Sequence, residues 1–202
     1  MPVEQIPVDQ APQLADAILE RDGCVVLTGI TTEETRNELL HELTAHEGDE
    51  NIAEEQGEDA FYPGNTKRTT GLVTKSEVAR RFIVHPSLLA HTDTYLGPSC
   101  QKVQLSVCSA LNIGPGARSQ RLHREDGPYP PAIKQVLPGS DLTMWAMWAI
   151  TDFTEANGAT LVVPGSREKR KTTRLPRAAA AAAASSCQLA TPRAACWLAA
   201  LQ

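Results

Sequence analysis

CQKVQLSVCSALNIGPG, residues 100–116, is the stretch on which the fold turns. Val103, Leu105 and Val107 alternate with polar neighbours, the period of a strand half buried against a core, and a Gly-Pro-Gly turn ends the run. Downstream, LTMWAMWAITDFT (142–154) is apolar on both faces, as a central strand is, and GATLVVPGS (158–166) reads as a further short strand stopped by Pro-Gly. Upstream the period changes. APQLADAILER (11–21) spaces Leu14, Ala17 and Ile18 as a helix does, and DGCVVLTGI (22–30) is a short buried strand bounded by glycines. TTEETRNELLHELTAHEGD (31–49) is a helix that Thr31 or Thr32 caps, with glutamates in its first turn and Leu39, Leu40 and Leu43 along one face. SEVARRFIVHPSLLAHTDTYLG (76–97) is one or two helices, broken before Pro86. Helices first and antiparallel strands second predict an α+β or mostly-β domain with N-terminal helices packed on one side. The polar, turn-rich stretch 50–76 is too long for an inert connection.

A chain of 202 residues, 42% hydrophobic and 21% charged, is enough for one soluble domain with a real core, or at most two small ones. The net charge of −5 and a single short basic cluster, REKRKTTRLPR (167–177), argue against nucleic acid as a partner. No apolar run approaches the length of about 18 residues that a membrane span needs, and the acidic start lacks the order of a signal peptide. Five scattered cysteines without a CxxC pair read as reduced thiols, so the expected compartment is the cytoplasm.

QRLHREDGPYP (120–130) carries the candidate chemistry. On an extended segment residues i and i+2 point to one side, so His123 and Glu125 can aim an imidazole and a carboxylate at one point. A ferrous ion takes two histidines and one carboxylate on one face, leaving positions for substrate and oxygen. Asp126 is the alternative carboxylate, but at i+3 it faces away on a regular strand. Alone, H-x-E is a weak signal, and the competing reading is a solvated acidic loop. His41 and His46, five apart on a helix, share no face and read as surface residues.

The surroundings add to it. Gln120, His123, Glu125, Trp148, Asp152, Asn157, Gly158, Thr160 and Pro164 to Ser166 stand in an order that resembles the phytanoyl-CoA dioxygenase family, in particular its fungal natural-product branch. DGCVVLTG and TKRTTGLVTKS resemble it too, and the likeness covers about residues 8–170. It implies a double-stranded β-helix (jelly roll) and a dioxygenase that uses Fe(II) as metal and 2-oxoglutarate as cosubstrate. Such an enzyme oxidises unactivated carbon of a small, lipophilic, secondary-metabolite-type substrate. By position, His123 and Glu125 are then metal ligands, and Gln120 and Thr160 hydrogen-bond 2-oxoglutarate. The 61–76 loop and the segment near Pro128–Pro131 wall the substrate pocket.

Two departures from the family pattern stand out. HRDD reads HRED here, and the longer glutamate predicts weakened iron binding. No histidine follows position 123, so the second iron-binding histidine is missing, and with it the arginine that pairs with the distal carboxylate of 2-oxoglutarate. Beyond PGSREKRK the pattern stops, and RAAAAAAASSCQLATPRAACWLAALQ (177–202) shows no strand periodicity. Residues 1–170 are therefore expected to form a jelly roll incomplete at its C-terminus, and 171–202 an Ala-rich tail foreign to the family, the product of a wrong frame or splice. Absent strands would leave backbone groups of their neighbours unpaired, with marginal stability as the result. The alternative function is a non-catalytic family member or partner subunit without a working metal site. The residues leave open a homodimer or a heterodimer with a related chain.

Overall fold

The computed structural model describes residues 3–47, 64–120, 122–123, 130, 140–166 and 196–201. Its N-terminal part is a short parallel pair, β1 (Gln5–Pro7) with β2 (Val26–Thr28), joined through helix α1 (Ala11–Asp22). α1 buries Ala11, Ala15 and Ile18 against Ile6 and Leu27. The expected face through Leu14 and Ala17 is not the buried one: Ala17 is exposed and Leu14 is 43% exposed, because the buried stripe runs i, i+4, i+7 from Ala11. Gly23 ends α1 in the left-handed region (φ 75°), where its N–H caps the Leu19 carbonyl at 2.8 Å.

Helix α2 (Glu33–Thr44) starts at Thr32, whose hydroxyl accepts the Thr35 N–H at 3.2 Å. Its Leu39 is fully buried, with Leu40 and Leu43 packed beside it. α3 (Leu72–Lys75), α4 (Glu77–Ile83) and α5 (Pro86–Leu96) follow, the break falling at Val84 and His85 just before Pro86. Ser76 caps α4 by accepting the Ala79 N–H at 2.8 Å, and its own hydroxyl donates to the Glu42 carboxylate. That carboxylate also accepts the Val78 N–H at 3.3 Å, so a negative charge on α2 sits at the positive end of α4 and ties the two helices together.

The main sheet is antiparallel and has four strands in the order β3 (Thr66–Thr70), β4 (Leu105–Ile113), β6 (Cys196–Leu201), β5 (Met144–Ala149). β4 and β5 fall within the expected strands. β3 and α3 fall inside the stretch expected to be a loop, and GATLVVPGS holds a single bridge at Leu161 and a turn rather than a continuous strand. The tail shows no strand periodicity, yet Cys196–Leu201 occupies the central position between β4 and β5. An apolar segment with an unpaired partner on either side satisfies its backbone by lying between them, whatever its own periodicity.

Register sorts the side chains into two faces. Ala110 and Trp148 lie opposite Trp197 in one row, and this face meets the helices: Cys108, Trp148 and Ile150 pack with Leu39, Leu72, Val78, Phe82 and Ile83. The other face holds Val107, Ser109, Leu111 and Ile113 of β4, Thr66, Arg68 and Thr70 of β3, and Trp145, Met147 and Ala149 of β5. The helices-plus-antiparallel-sheet expectation therefore holds, and the described residues carry more helix than strand. The described strands make up one two-stranded and one four-stranded sheet.

His85 links helix capping to pH. Its Nδ1 accepts the Ser87 N–H at 3.3 Å at the start of α5, and its ring stands edge-on to Trp148 with centroids 5.6 Å apart. Burial holds its pKa below the ordinary 6.5. The unfolded chain then binds the proton first, so the stabilising contribution is complete above about pH 6.5 and is lost as pH falls through that value toward the folded pKa. The urea midpoint is expected to drop between pH 7.5 and about 5, and His85→Gln is expected to flatten that slope. An unchanged slope in the variant would assign the acid sensitivity elsewhere.

Candidate functional site

β4 ends at a close approach that forces its sequence. The Gly114 N–H donates to the Asn65 carbonyl at 2.7 Å, and a Cβ at Gly114 would stand 2.7 Å from that same oxygen. Asn65, in the left-handed region (φ 57°), donates through Nδ2 to the Pro115 carbonyl at 3.3 Å. NIGPG is thus read structurally: only glycine fits where two backbones touch. From this clasp the chain runs to Gln120 and His123, both exposed and in irregular backbone. Glu125 lies outside the described residues, as do Asp126 and most of the Pro128–Pro131 segment.

The second candidate segment is fixed by its own turn. Thr154 and Asn157 form a reciprocal cap around the short helical turn Glu155–Asn157, with the Thr154 N–H donating to Asn157 Oδ1 at 2.9 Å. Asn157 Nδ2 donates to the Asp152 carbonyl, and Gly158 takes the left-handed conformation (φ 81°) that lets the chain reverse. A Cβ on Gly158 would meet Ile113 Cγ2 at 3.4 Å, so this turn lies on the sheet face that points away from the helices. Phe153 and Ala159 bury themselves against Ala149 of the same face, and Thr160 follows, half-buried. The DFTEANGAT motif therefore has a local reason for Asn157 and Gly158, with Thr160 two residues beyond the turn.

Sequence reasoning passed over Arg68. It is half-buried, pairs with Leu111 in the ladder, and brings a cation to the same face. The signal was available in the Thr-rich TKRTT, whose β-branched residues favour a strand.

The remaining histidines stand elsewhere in the fold. His91, buried on α5, has its Nδ1 2.8 Å from Asp16 Oδ1 and ties α5 to α1. His85 caps α5, His41 is exposed on α2, and His46 offers its backbone carbonyl to Thr69 Oγ1 at 3.2 Å. Cys24, Cys100 and Cys108 form no disulfide among the described residues; burial pushes the Cys108 thiol up to about 12, which makes it an inert core residue. A cleft of about 420 Å³ lined by Asp16, Glu20, Thr94, Tyr95, Ser140 and Asp141 contains none of the candidate residues. No helix among the described residues is long and apolar enough to cross a membrane.

Comparison with known proteins bears on the same residues. The profile of the family described as phytanoyl-CoA dioxygenase (PhyH) matches residues 19–193. Dioxygenase ALT11 of Alternaria alternata is 31% identical over 159 residues, which is 74% of this chain and 52% of that protein. Dioxygenase FUM3 of Gibberella moniliformis is 28% identical over 165 residues, again 74% of this chain and 52% of that one. The chain thus spans about half the length of the curated relatives it matches. Among solved structures, the non-heme alpha ketoglutarate dependent epimerase SnoN from nogalamycin biosynthesis shares the fold, with a TM-score of 0.55 at 20% identity over 96% of this chain and 75% of that one.

The family implies Fe(II) and 2-oxoglutarate. Of the expected ligands the structure describes His123 alone, Glu125 lying outside the described residues; among the described residues no three His, Cys, Asp or Glu side chains converge to hold a metal ion. A profile match running from α1 into the tail, supported by relatives at this identity, makes the chain a member of the phytanoyl-CoA dioxygenase (PhyH) family.

Proposed function

We propose that the chain is an Fe(II)- and 2-oxoglutarate-dependent dioxygenase of a small, lipophilic, secondary-metabolite-type substrate, with an iron site weakened by the lack of a second histidine. The observation that carries this reading is the family match over residues 19–193. In it, His123 and Glu125 bind iron, Gln120 and Thr160 hydrogen-bond 2-oxoglutarate, and the four-stranded sheet is one wall of a double-stranded β-helix. Supporting it, the turn that ends at Gly158 meets Ile113 on the sheet face that also carries Arg68.

A second reading, a non-catalytic member or partner subunit, is favoured by one fact: of five histidines, none follows position 123. Iron affinity separates the two. Even outer-shell partners of a metal change affinity about 10- to 100-fold, so a ligand set short of one imidazole is expected to hold Fe(II) at least that much more weakly than a complete one. Glu125→Asp shortens the carboxylate arm to the length the family uses and is expected to tighten Fe(II) binding by about tenfold in anaerobic calorimetry. If the variant binds no differently, Glu125 is a solvated side chain and the iron-site reading fails.

A further inference from the structure

β6 fills a slot rather than extending an edge. It lies between β4 and β5, which do not pair with each other, and its main contacts among the described elements are with those two strands. Cys196–Leu201 is matched residue for residue against Met144–Ala149, and against Leu105–Leu111 with one slip between Leu105 and Val107. Without β6 the slot is two strand spacings wide, about 10 Å, and the facing N–H and C=O groups of both walls are unpaired. None of the three strands, LSVCSALNI, MWAMWA and CWLAAL, contains a charged residue or a proline, the devices by which sheet edges turn other strands away. The slot takes an uncharged, extended segment, and the fit of one such segment is on view.

Little ties β6 to the slot of its own chain. Residues 167–195 separate it from the turn at Val163–Ser166, whose Gly165 N–H donates to the Asp22 carbonyl at 2.8 Å. A connection of about 30 residues reaches up to about 100 Å, against a small-domain diameter of about 30 Å, so length does not confine the strand to one molecule. The preference for the own slot is an effective concentration, about millimolar for short linkers and falling as the connection lengthens. A second copy offers the same strand and the same slot, so exchange keeps every backbone pair. We propose that β6 is exchanged between two copies of this chain, each filling the slot between β4 and β5 of the other. The partner is recognised by backbone pairing along both sides of an apolar strand, and the exchange does not depend on iron.

The register supplies its own test. Ala199 lies opposite Cys108, and residues directly opposite in an antiparallel ladder have Cα atoms about 4.5–5.5 Å apart, within the span of a disulfide. In the full chain, Ala199→Cys therefore lets the native Cys108 report whose β6 it faces. The variant is refolded from urea in a glutathione redox buffer at about 500 µM, with about 1 µM as reference, and run on a denaturing gel without reductant. The expected product at the higher concentration is a covalent species of doubled mass, absent when Cys108→Ser is added. Wild-type protein refolded at the same concentration is expected to double its mass in light scattering, a measurement that needs no variant to fold. A wild type that stays monomeric overturns the proposal. So does a Cys108 bond that closes only within single chains at the higher concentration, or the absence of any bond, which would take β6 out of the slot. A covalent dimer that survives Cys108→Ser joins the copies through another thiol and counts against exchange.

Discussion

Ala199→Pro is expected to dismantle the four-stranded sheet. Ala199 lies at the middle of β6, opposite Cys108 on one side and Ala146 on the other. Among the described residues β6 links β5 to the rest of this sheet, and the strand order places no direct pairing between β4 and β5. Proline removes a ladder N–H and forces a fixed φ on a central strand, a position where it is essentially never found. The direct penalty is the lost ladder hydrogen bond, with the proline ring standing where its donor was. The indirect one is larger, because β4 and β5 then face each other across a gap of about 10 Å with their inward N–H and C=O groups unpaired. Against a typical total of about 5–15 kcal/mol, this is enough to unfold the domain. Circular dichroism and urea titration read it directly. A midpoint within error of the wild type would mean that β6 contributes nothing to the sheet in solution.

Trp148→Ala is expected to be the most damaging single truncation in the core. The ring is 4% exposed, stacks on Phe82 with centroids 4.5 Å apart and planes at 19°, and meets His85 edge-on. It carries β5 onto α4 and α5 at once, and removing it leaves a cavity that those rigid elements cannot close. The expected loss is about 3–5 kcal/mol. Trp148→Phe should lose far less. The phenyl ring keeps the stack on Phe82, worth about 0.5–1.5 kcal/mol beyond its area, and the indole N–H it discards has no partner. Equal losses in the two variants would show that the N–H, and not the stacked ring, holds this part of the core.

Much of the helical half was legible because its signals are local. Thr32 with its acidic first turn, Gly23 after α1 and Pro86 at the start of α5 each act through their own backbone neighbours, and each element ends where these residues say. β4 and β5 were legible from alternation and from apolar runs. What failed depended on partners distant in sequence. TKRTT looks like a polar loop until β4 lies beside it. CWLAAL has no period of two, and nothing in six residues announces that two unpaired strands flank an empty place. The Leu14 face of α1 was misjudged because tertiary packing, not local spacing, chose between adjacent stripes.

The candidate site was legible in part and for a similar reason. Asn157 and Gly158 announce a turn that the structure contains, and Gly158 sits against Ile113 of the sheet. Arg68 and Ser109 belong to that face only through register, which no local motif encodes. The reading of 171–202 as a tail foreign to the family rests on its Ala-rich composition; the family match reaching residue 193 and the strand at Cys196–Leu201 both bear on it. Genomic sequence downstream of Ser166 decides it, by holding or lacking a histidine strand followed by an arginine strand in another frame.

The central claim, a dioxygenase-family iron site that takes His123 as a ligand, is tested most directly by an anaerobic titration of the full chain with Fe(II) and 2-oxoglutarate, watched for the weak visible charge-transfer band of chelated 2-oxoglutarate. The band is predicted to emerge only at high iron, at least about 10- to 100-fold above what a complete ligand set would need, and to vanish in His123→Ala. No band at millimolar iron, or a band that His123→Ala leaves untouched, would contradict it.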